Sequence, residues 1–409
     1  MHSDMSFLHF FPSLLAYQGI VDPYGYIDQH FSQSVKELGW FYYPPLTYFT
    51  LGFFQFLFRP LVSGFDQWLL LSYIGVDVPN LPTYLFLPAG QHSFSYILMM
   101  KIPYLFFDIF AGFFLLRIPD KPQKALTAFK YWMLNPVVLY SCFIFGQFDV
   151  IPAFFIILSI IFAKREKPYL SVIMLGIGGG YKLVPMLLLP IASVFLGKTH
   201  IERIKLFLLG LIIFIIPIML LWLPSHGAVV KSIFPAILTV GMGVNKNLLI
   251  LILQAMFIVG YLGILAHAYF HSKKQQAHPC NLLQKYYLII LLLFFVSMAS
   301  PSFHYLVVLT PILALEIAQD QKMRKWILIL ILSFIPLTIT GRLLWAGLLE
   351  PLHPTLFLSL PSFDQIINLI VPYAYIRAGA KSVLIITSLW IVFQSIHCMF
   401  TKNIDCTKQ

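Results

Sequence analysis

Long apolar blocks follow one another down this sequence with only short polar gaps between them, and few folds can accommodate such a succession. The blocks run over residues 95–116, 126–145, 150–163, 168–182, 184–197, 206–223, 247–270, 287–299, 305–318, 326–345 and 382–400. A helix that spans a bilayer needs roughly 20 mostly apolar residues, and most of these blocks approach that length. Composition agrees: 59% of residues are hydrophobic and 11% charged, where a soluble domain carries about 25% charged residues. No soluble fold hides so much apolar surface. Two weaker stretches, 46–58 and 68–76, read as re-entrant or interfacial helices. The pair 168–182 and 184–197, joined near Lys182, reads either as two tilted helices or as one broken helix. The expected fold is an all-α, polytopic transmembrane helical bundle of about 11–13 helices. It forms a single integral membrane domain over 1–409, with an outer loop and interfacial helices in 1–94 and the bundle in 95–409.

Charge sets the orientation. Lys121 and Lys124, then Lys164, Arg165 and Lys167, then Lys198, Arg203 and Lys205 occupy alternate loops. Lys273, Lys274 and Lys285 follow, then Lys322, Arg324 and Lys325, and the tail carries Lys402 and Lys408. Counting through the blocks puts all of these on one side, which the positive-inside rule makes cytoplasmic. The net charge of +11 is thus dispersed over short loops, and the clustered basic face of a nucleic-acid-binding protein is missing. Region 1–94, the turn 146–149, the loop 224–246, the turn 300–304 and residues 346–381 face outward. Residues 1–20 lack a basic start and carry Asp4, so they do not read as a cleavable signal peptide. Cys142, Cys280, Cys398 and Cys406 show no metal or disulfide spacing.

The unusual polar residues sit on the outward side. Residues 1–45 hold Asp4, Asp22 and Asp28 among many aromatics and end in Trp40-Phe41-Tyr42-Tyr43-Pro44-Pro45. The two prolines fix an extended approach to the next helix; a plain surface loop with an interfacial aromatic belt is the alternative. Asn135-Pro136 leads to the turn Gly146-Gln147-Phe148-Asp149, in which Asp149 reads most simply as a helix N-cap. Lys182 follows Gly178-Gly179-Gly180 and precedes Pro185. A lysine between apolar segments is costly unless it pairs with an anion or faces a cavity; snorkelling to the interface is the simpler account. If it binds an anionic substrate, Lys182→Met is expected to fold normally yet lose that binding. His304 closes a short outward turn and reads as a loop residue or as a phosphate or acceptor ligand.

Taken in order, these elements resemble the GT-C glycosyltransferases, multi-spanning enzymes that take sugars from lipid-phosphate donors. Tyr43-Pro44-Pro45-Leu46-Thr47 resembles the motif closing the first outer loop of the dolichyl-phosphate-glucose-dependent glucosyltransferases of N-glycan assembly. Gly146-Gln147-Phe148-Asp149 resembles their His-Phe-Gln-Tyr-Asn turn in position, and Tyr181-Lys182 their Tyr-Lys element. His304 stands where they have His-Glu, with Tyr305 in place of the Glu. Ser3-Asp4-Met5 with Gly19 through Tyr24 is similar to the Thr-Asp-x-Asp and Gly-x-x-Pro-Tyr pattern of the first GPI mannosyltransferases. The second Asp of that pattern is replaced. The family carries a transmembrane helix ahead of this loop, whereas here the loop opens at residue 1.

The resemblance implies an outward first loop of the GT-C type and hexose transfer, mannose-like or glucose-like, from a polyprenyl-phosphate sugar. The acceptor is a hydroxyl of a glycan, lipid or protein on the extracytoplasmic side, and the anomeric centre is inverted. It implies a carboxylate base, Asp4 first and Asp22 second, and cations for the leaving phosphate: Lys182, with Arg342 and Arg377 further out. Asp149 and His304 complete the expected substrate-binding set. No cofactor and no metal are expected, since one carboxylate of the paired motif is missing. Membrane lipids are partners and nucleic acid is not. Few cysteines and compact loops favour a prokaryotic plasma membrane over an endoplasmic reticulum. The rival reading is a transporter or flippase for a lipid-linked or sugar substrate, since a broken helix with an intramembrane lysine also suits a substrate path; an inverted repeat would favour it, and none is evident.

Overall fold

The computed structural model describes residues 3–30, 43–74, 93–225, 227–230, 248–272, 279–297, 303–338 and 353–401. Arg342, Trp40-Phe41-Tyr42 and Ser300-Pro301-Ser302 therefore lie outside the described residues. Among those described, the regular structure is helical and no strand occurs.

The chain opens with α1 (Ser3–Gln18), α2 (Pro23–His30), α3 (Pro45–Phe58) and α4 (Phe65–Ile74). It continues with α5 (Ser93–Leu115), α6 (Pro122–Met133), α7 (Val150–Lys164), α8 (Pro168–Gly179), α9 (Leu189–Leu196) and α10 (His200–Trp222). The last elements are α11 (Leu248–Ser272), α12 (Pro279–Ser297), α13 (Leu306–Gln319), α14 (Gln321–Thr338) and α15 (Tyr373–Thr401). Among the described residues, four stretches are long and apolar enough to cross a membrane on their own: Phe94–Leu115, His200–Trp222, Leu251–His271 and Tyr373–Met399. Shorter apolar helices, such as Val150–Lys164 and Leu306–Gln319, fill the interior between them.

This division follows the side chains. From Leu306 to Ile317 every residue of α13 is buried, as expected of a helix that is hydrophobic all round. On α10 and α11, by contrast, Ile212, Ile216, Leu220, Met256, Val259 and Leu262 are exposed. In water such a surface would aggregate; in lipid it is the outer wall. The crossing of α8 and α10 is close because both present glycine: a Cβ on Gly176 would lie 2.5 Å from the Gly210 carbonyl oxygen.

Sequence reading places 1–45 in an outer loop, but Ser3–Gln18 is a helix packed on α3 and α4. Its polar residues are satisfied inside the protein. His9 Nε2 and the Tyr104 hydroxyl are 2.7 Å apart, Gln55 Nε2 lies 3.1 Å from His9 Nδ1, and Ser13 donates to the Phe10 carbonyl at 2.6 Å. The apolar block 126–145 is likewise not one helix, since α6 ends at Met133.

Several of the basic residues lie at one end of the bundle. Lys164 bonds Asp120 at 2.5 Å, Lys124 donates to the Gln319 carbonyl at 3.2 Å, and Lys285 pairs with Glu316 at 3.3 Å. The turn 146–149, Lys182 and His304 meet at the other end of the same helices.

Candidate active site

The site is assembled where helices break. Pro136 pushes Asn135 out of helical geometry (φ −73, ψ 119), and the Asn135 side chain accepts from the Val137 amide at 2.9 Å. One short turn later, Leu139–Ile144 winds as a π-helix, with the Phe145 amide donating to the Tyr140 carbonyl at 2.7 Å. Such wide turns are rare and frequent at functional sites. Gly146 then takes φ +88, and a Cβ there would lie 2.4 Å from Met5 Sδ. Only glycine meets both demands. This contact brings the first turn of α1, which contains Asp4, against the turn 146–149.

The second break follows α8. The backbone leaves the helix at Gly180 and resumes as a 3₁₀ turn at Val184–Leu187 ahead of α9, so α8 and α9 are two helices that meet around Lys182 and pack on each other. The start of α3 takes up the freed carbonyls. The Leu46 amide donates to the Gly180 carbonyl at 3.2 Å, and the Thr47 hydroxyl to the Tyr181 carbonyl at 3.1 Å. Irregular backbone is tolerated at membrane depth where protein satisfies it in this way. Thr50 holds the Tyr181 hydroxyl at 2.7 Å, and Phe155 stacks on the Tyr181 ring.

Between the two breaks, Lys182 Nζ donates to Asp149 Oδ1 at 2.6 Å. The side chains are 7% and 0% exposed. Three rings surround the ammonium, with centroids 4.2 Å (Tyr305), 5.5 Å (Phe148) and 5.9 Å (Tyr43) away. Each lies within the range in which a ring face attracts a cation. Asp149 holds the N-cap position of α7 but makes no side-chain cap; its carboxylate is turned to Lys182, so the simple capping role does not hold. Its Oδ2 is buried and has no hydrogen-bond partner among the described residues. Burial pushes the Asp149 carboxyl up from the ordinary value, and the Lys182 ammonium holds it back in part. Tyr43 is itself fixed, donating to Gln147 Oε1 at 3.4 Å while its carbonyl accepts from Tyr24 at 2.5 Å.

Of the residues singled out from sequence, Lys182, Asp149 and His304 meet at this end. His304 is buried and stacks on Phe145, and its neighbour Tyr305 caps Lys182. The tyrosine that departs from His-Glu thus supplies the nearest ring of the cage. Asp22 accepts from the Gly25 amide at 3.1 Å and so caps the first turn of α2. Asp28 is exposed. Arg377 is exposed in the first turns of α15, beside Tyr373 and Asp364, and does not join the buried cluster. The ring cage and the buried His9–Tyr104–Gln55 group were not legible in sequence, because their members are distant in the chain: His9 is 46 residues from Gln55 and 95 from Tyr104, and the cage draws on Tyr43, Phe148 and Tyr305. Among the described residues no three His, Cys, Asp or Glu side chains converge as a metal site would require. What the cluster offers is one enclosed cation with a carboxylate that can release it to a stronger anion.

GPI mannosyltransferase 1 of Kluyveromyces lactis is 26% identical over 136 residues, covering 32% of this chain and 34% of that protein. The matched stretch thus spans about a third of the length of that curated relative. The pattern of glycosyltransferase family 87 matches residues 82–301, which carry both helix breaks, Asp149 and Lys182. With more than half its length matched, the chain belongs to glycosyltransferase family 87.

Proposed function

We propose that the protein transfers a hexose, mannose or glucose, from a polyprenyl-phosphate hexose to a hydroxyl of a glycan, lipid or protein on the extracytoplasmic side, with inversion. The observation that carries this reading is Lys182: a buried cation at a helix break, on the end of the bundle away from the basic loops. A lipid donor presents its sugar from the bilayer, so no nucleotide-binding domain is needed. The acceptor oxygen attacks the anomeric carbon while the bond from that carbon to the phosphate oxygen breaks. Asp4 takes the acceptor proton, and the departing lipid phosphate keeps the electron pair and is held by Lys182. His304 lines the phosphate or acceptor side. Asp22, occupied in capping α2, is the second-choice base, and Arg342 and Arg377 guide the anionic headgroup. The basic loops then face the cytoplasm, and the short loops and four cysteines favour a prokaryotic plasma membrane.

The test is transfer by the full chain in lipid vesicles supplied with labelled polyprenyl-phosphate mannose or glucose. Labelled product of inverted configuration with stoichiometric release of polyprenyl phosphate supports the reading. Folded protein that transfers neither sugar to any hydroxyl acceptor overturns it.

A further inference from the structure

The far end of α3 brings together apolar surface and a cation, both open to the surroundings. Phe53, Phe56 and Leu57 on α3 and Leu61 just beyond it are 59%, 62%, 55% and 78% exposed. Among them stands Arg59, also exposed, which opens the 3₁₀ turn Arg59–Leu61 that follows the helix. In water these apolar side chains would form an aggregation-prone patch. At a hydrocarbon boundary the guanidinium is costly unless an anion meets it.

Arg59 is held in place by α1. Its Nη1 donates to the Ala16 carbonyl at 3.3 Å, and its guanidinium carbon lies 5.2 Å from the centre of the Tyr17 ring. That ring is itself fixed, with its hydroxyl donating to the Val62 carbonyl at 3.5 Å and Phe65 at 6.1 Å. One carbonyl engages only one of the guanidinium's several N–H donors. Among the described residues no carboxylate pairs with Arg59; Asp66, in the first turn of α4, makes no ion pair with it. A planar fork, already aimed and with donors to spare, matches the oxygens of a phosphate. The ligand that fits this end of α3 brings an anion and apolar chains on one molecule.

We propose that Arg59 and its apolar neighbours form a site for one anionic phospholipid, with the phosphate on the guanidinium and the acyl chains against Phe56, Leu57 and Leu61. This inference is independent of the sugar-transfer reading. At its other end α3 begins with Leu46 and Thr47, which hold the Gly180 and Tyr181 carbonyls. The lipid therefore anchors the far end of the helix that braces the break at Lys182.

The test uses the full chain in detergent micelles doped with dioleoylphosphatidylglycerol or dioleoylphosphatidylcholine, read by native mass spectrometry and by thermal unfolding. Wild type should retain one phosphatidylglycerol, and its melting temperature should rise with that lipid and not with phosphatidylcholine. Arg59→Gln should weaken retention by at least roughly tenfold, the usual worth of a hydrogen bond to a charged group, and should remove the difference in melting temperature. Tyr17→Leu keeps the charge but loses the ring, and should weaken retention by roughly threefold. If Arg59→Gln does not fold, Arg59→Lys, which keeps the charge without the fork, should lower the same affinity several-fold. Equal retention of the two lipids by wild type, or of phosphatidylglycerol by wild type and the Arg59 variant, overturns the site. Release of the lipid by millimolar inorganic phosphate makes it a site for a free anion and overturns the lipid assignment. Wild-type dimers that Arg59→Gln splits mean that a second copy covers the patch, and also overturn it.

Discussion

The amide of Leu46 donates to the carbonyl of Gly180 across 3.2 Å. The start of α3 thereby satisfies the backbone at the end of α8, far along the chain, and the residue carrying the site's cation is two positions beyond that bond. The Tyr-Pro-Pro-Leu-Thr motif acts here through its backbone and its threonine.

Thr47→Val tests that coupling. The substitution keeps the shape but removes the hydroxyl that donates to the Tyr181 carbonyl at 3.1 Å. Leaving a buried acceptor unpaired costs about 1–3 kcal/mol. Thermal unfolding in detergent should fall accordingly, and donor affinity should weaken because Lys182 is held less firmly. An unchanged melting temperature would show that the break is held by other contacts.

Lys182→Met is expected to destabilise, contrary to what sequence alone suggests. It strands the fully enclosed Asp149 carboxylate, and removing one partner of a buried pair costs about 3–5 kcal/mol. Combining it with Asp149→Asn removes both charges and should recover most of the stability while leaving donor binding lost. Binding of polyprenyl phosphate by the stable double variant at wild-type strength would remove Lys182 from the phosphate site.

The same pair predicts a pH slope. Burial lifts the Asp149 carboxyl above the ordinary 3.8 in the folded chain. The folded state then keeps a proton that the unfolded state releases, so Asp149's contribution is fully present below 3.8 and is lost as pH rises through the folded value. Subtracting unfolding data for the double variant from those of wild type should give a difference that declines upward from pH 3.8. A flat difference would mean that Lys182 fully offsets the burial.

What the sequence made legible was local. Lys182 stood out because charge is rare in apolar segments, and Lys124, Lys164 and Lys285 lie at the helix ends away from it. Asp149 was visible but read as a cap, since a carboxylate just before a helix usually is one; only the fold brings Lys182 to it. The helix α1 was hidden because His9 and Ser13 look solvated until their partners are seen. Block 126–145 looked continuous because apolar content says nothing about the π turn within it.

Asp4→Asn should lower turnover by roughly 10²–10⁴-fold with donor binding intact, as loss of a general base does. Asp22→Asn should do far less, since an asparagine oxygen can still accept from the Gly25 amide and cap α2. Steady-state rates with saturating donor decide between them. The reverse pattern would move the base to Asp22.

Sidedness can be read with single cysteines in a chain whose four native cysteines are replaced. Lys164→Cys and Asp28→Cys should react with a membrane-impermeant thiol reagent from opposite sides of sealed vesicles. Labelling of both from one side would invert the assignment of the site to the extracytoplasmic face.

The ring of Tyr305 lies 4.2 Å from the Lys182 ammonium, and this has a consequence for biogenesis. As the chain leaves the ribosome and is threaded into the bilayer, the first elements of the cage, Tyr43 and Phe148, are made long before the last. Until residue 305 follows, the Lys182–Asp149 pair lacks its nearest ring. The pair is thus enclosed late, and a chain halted after α12 would hold Lys182 and Asp149 without the ring that lies nearest the ammonium.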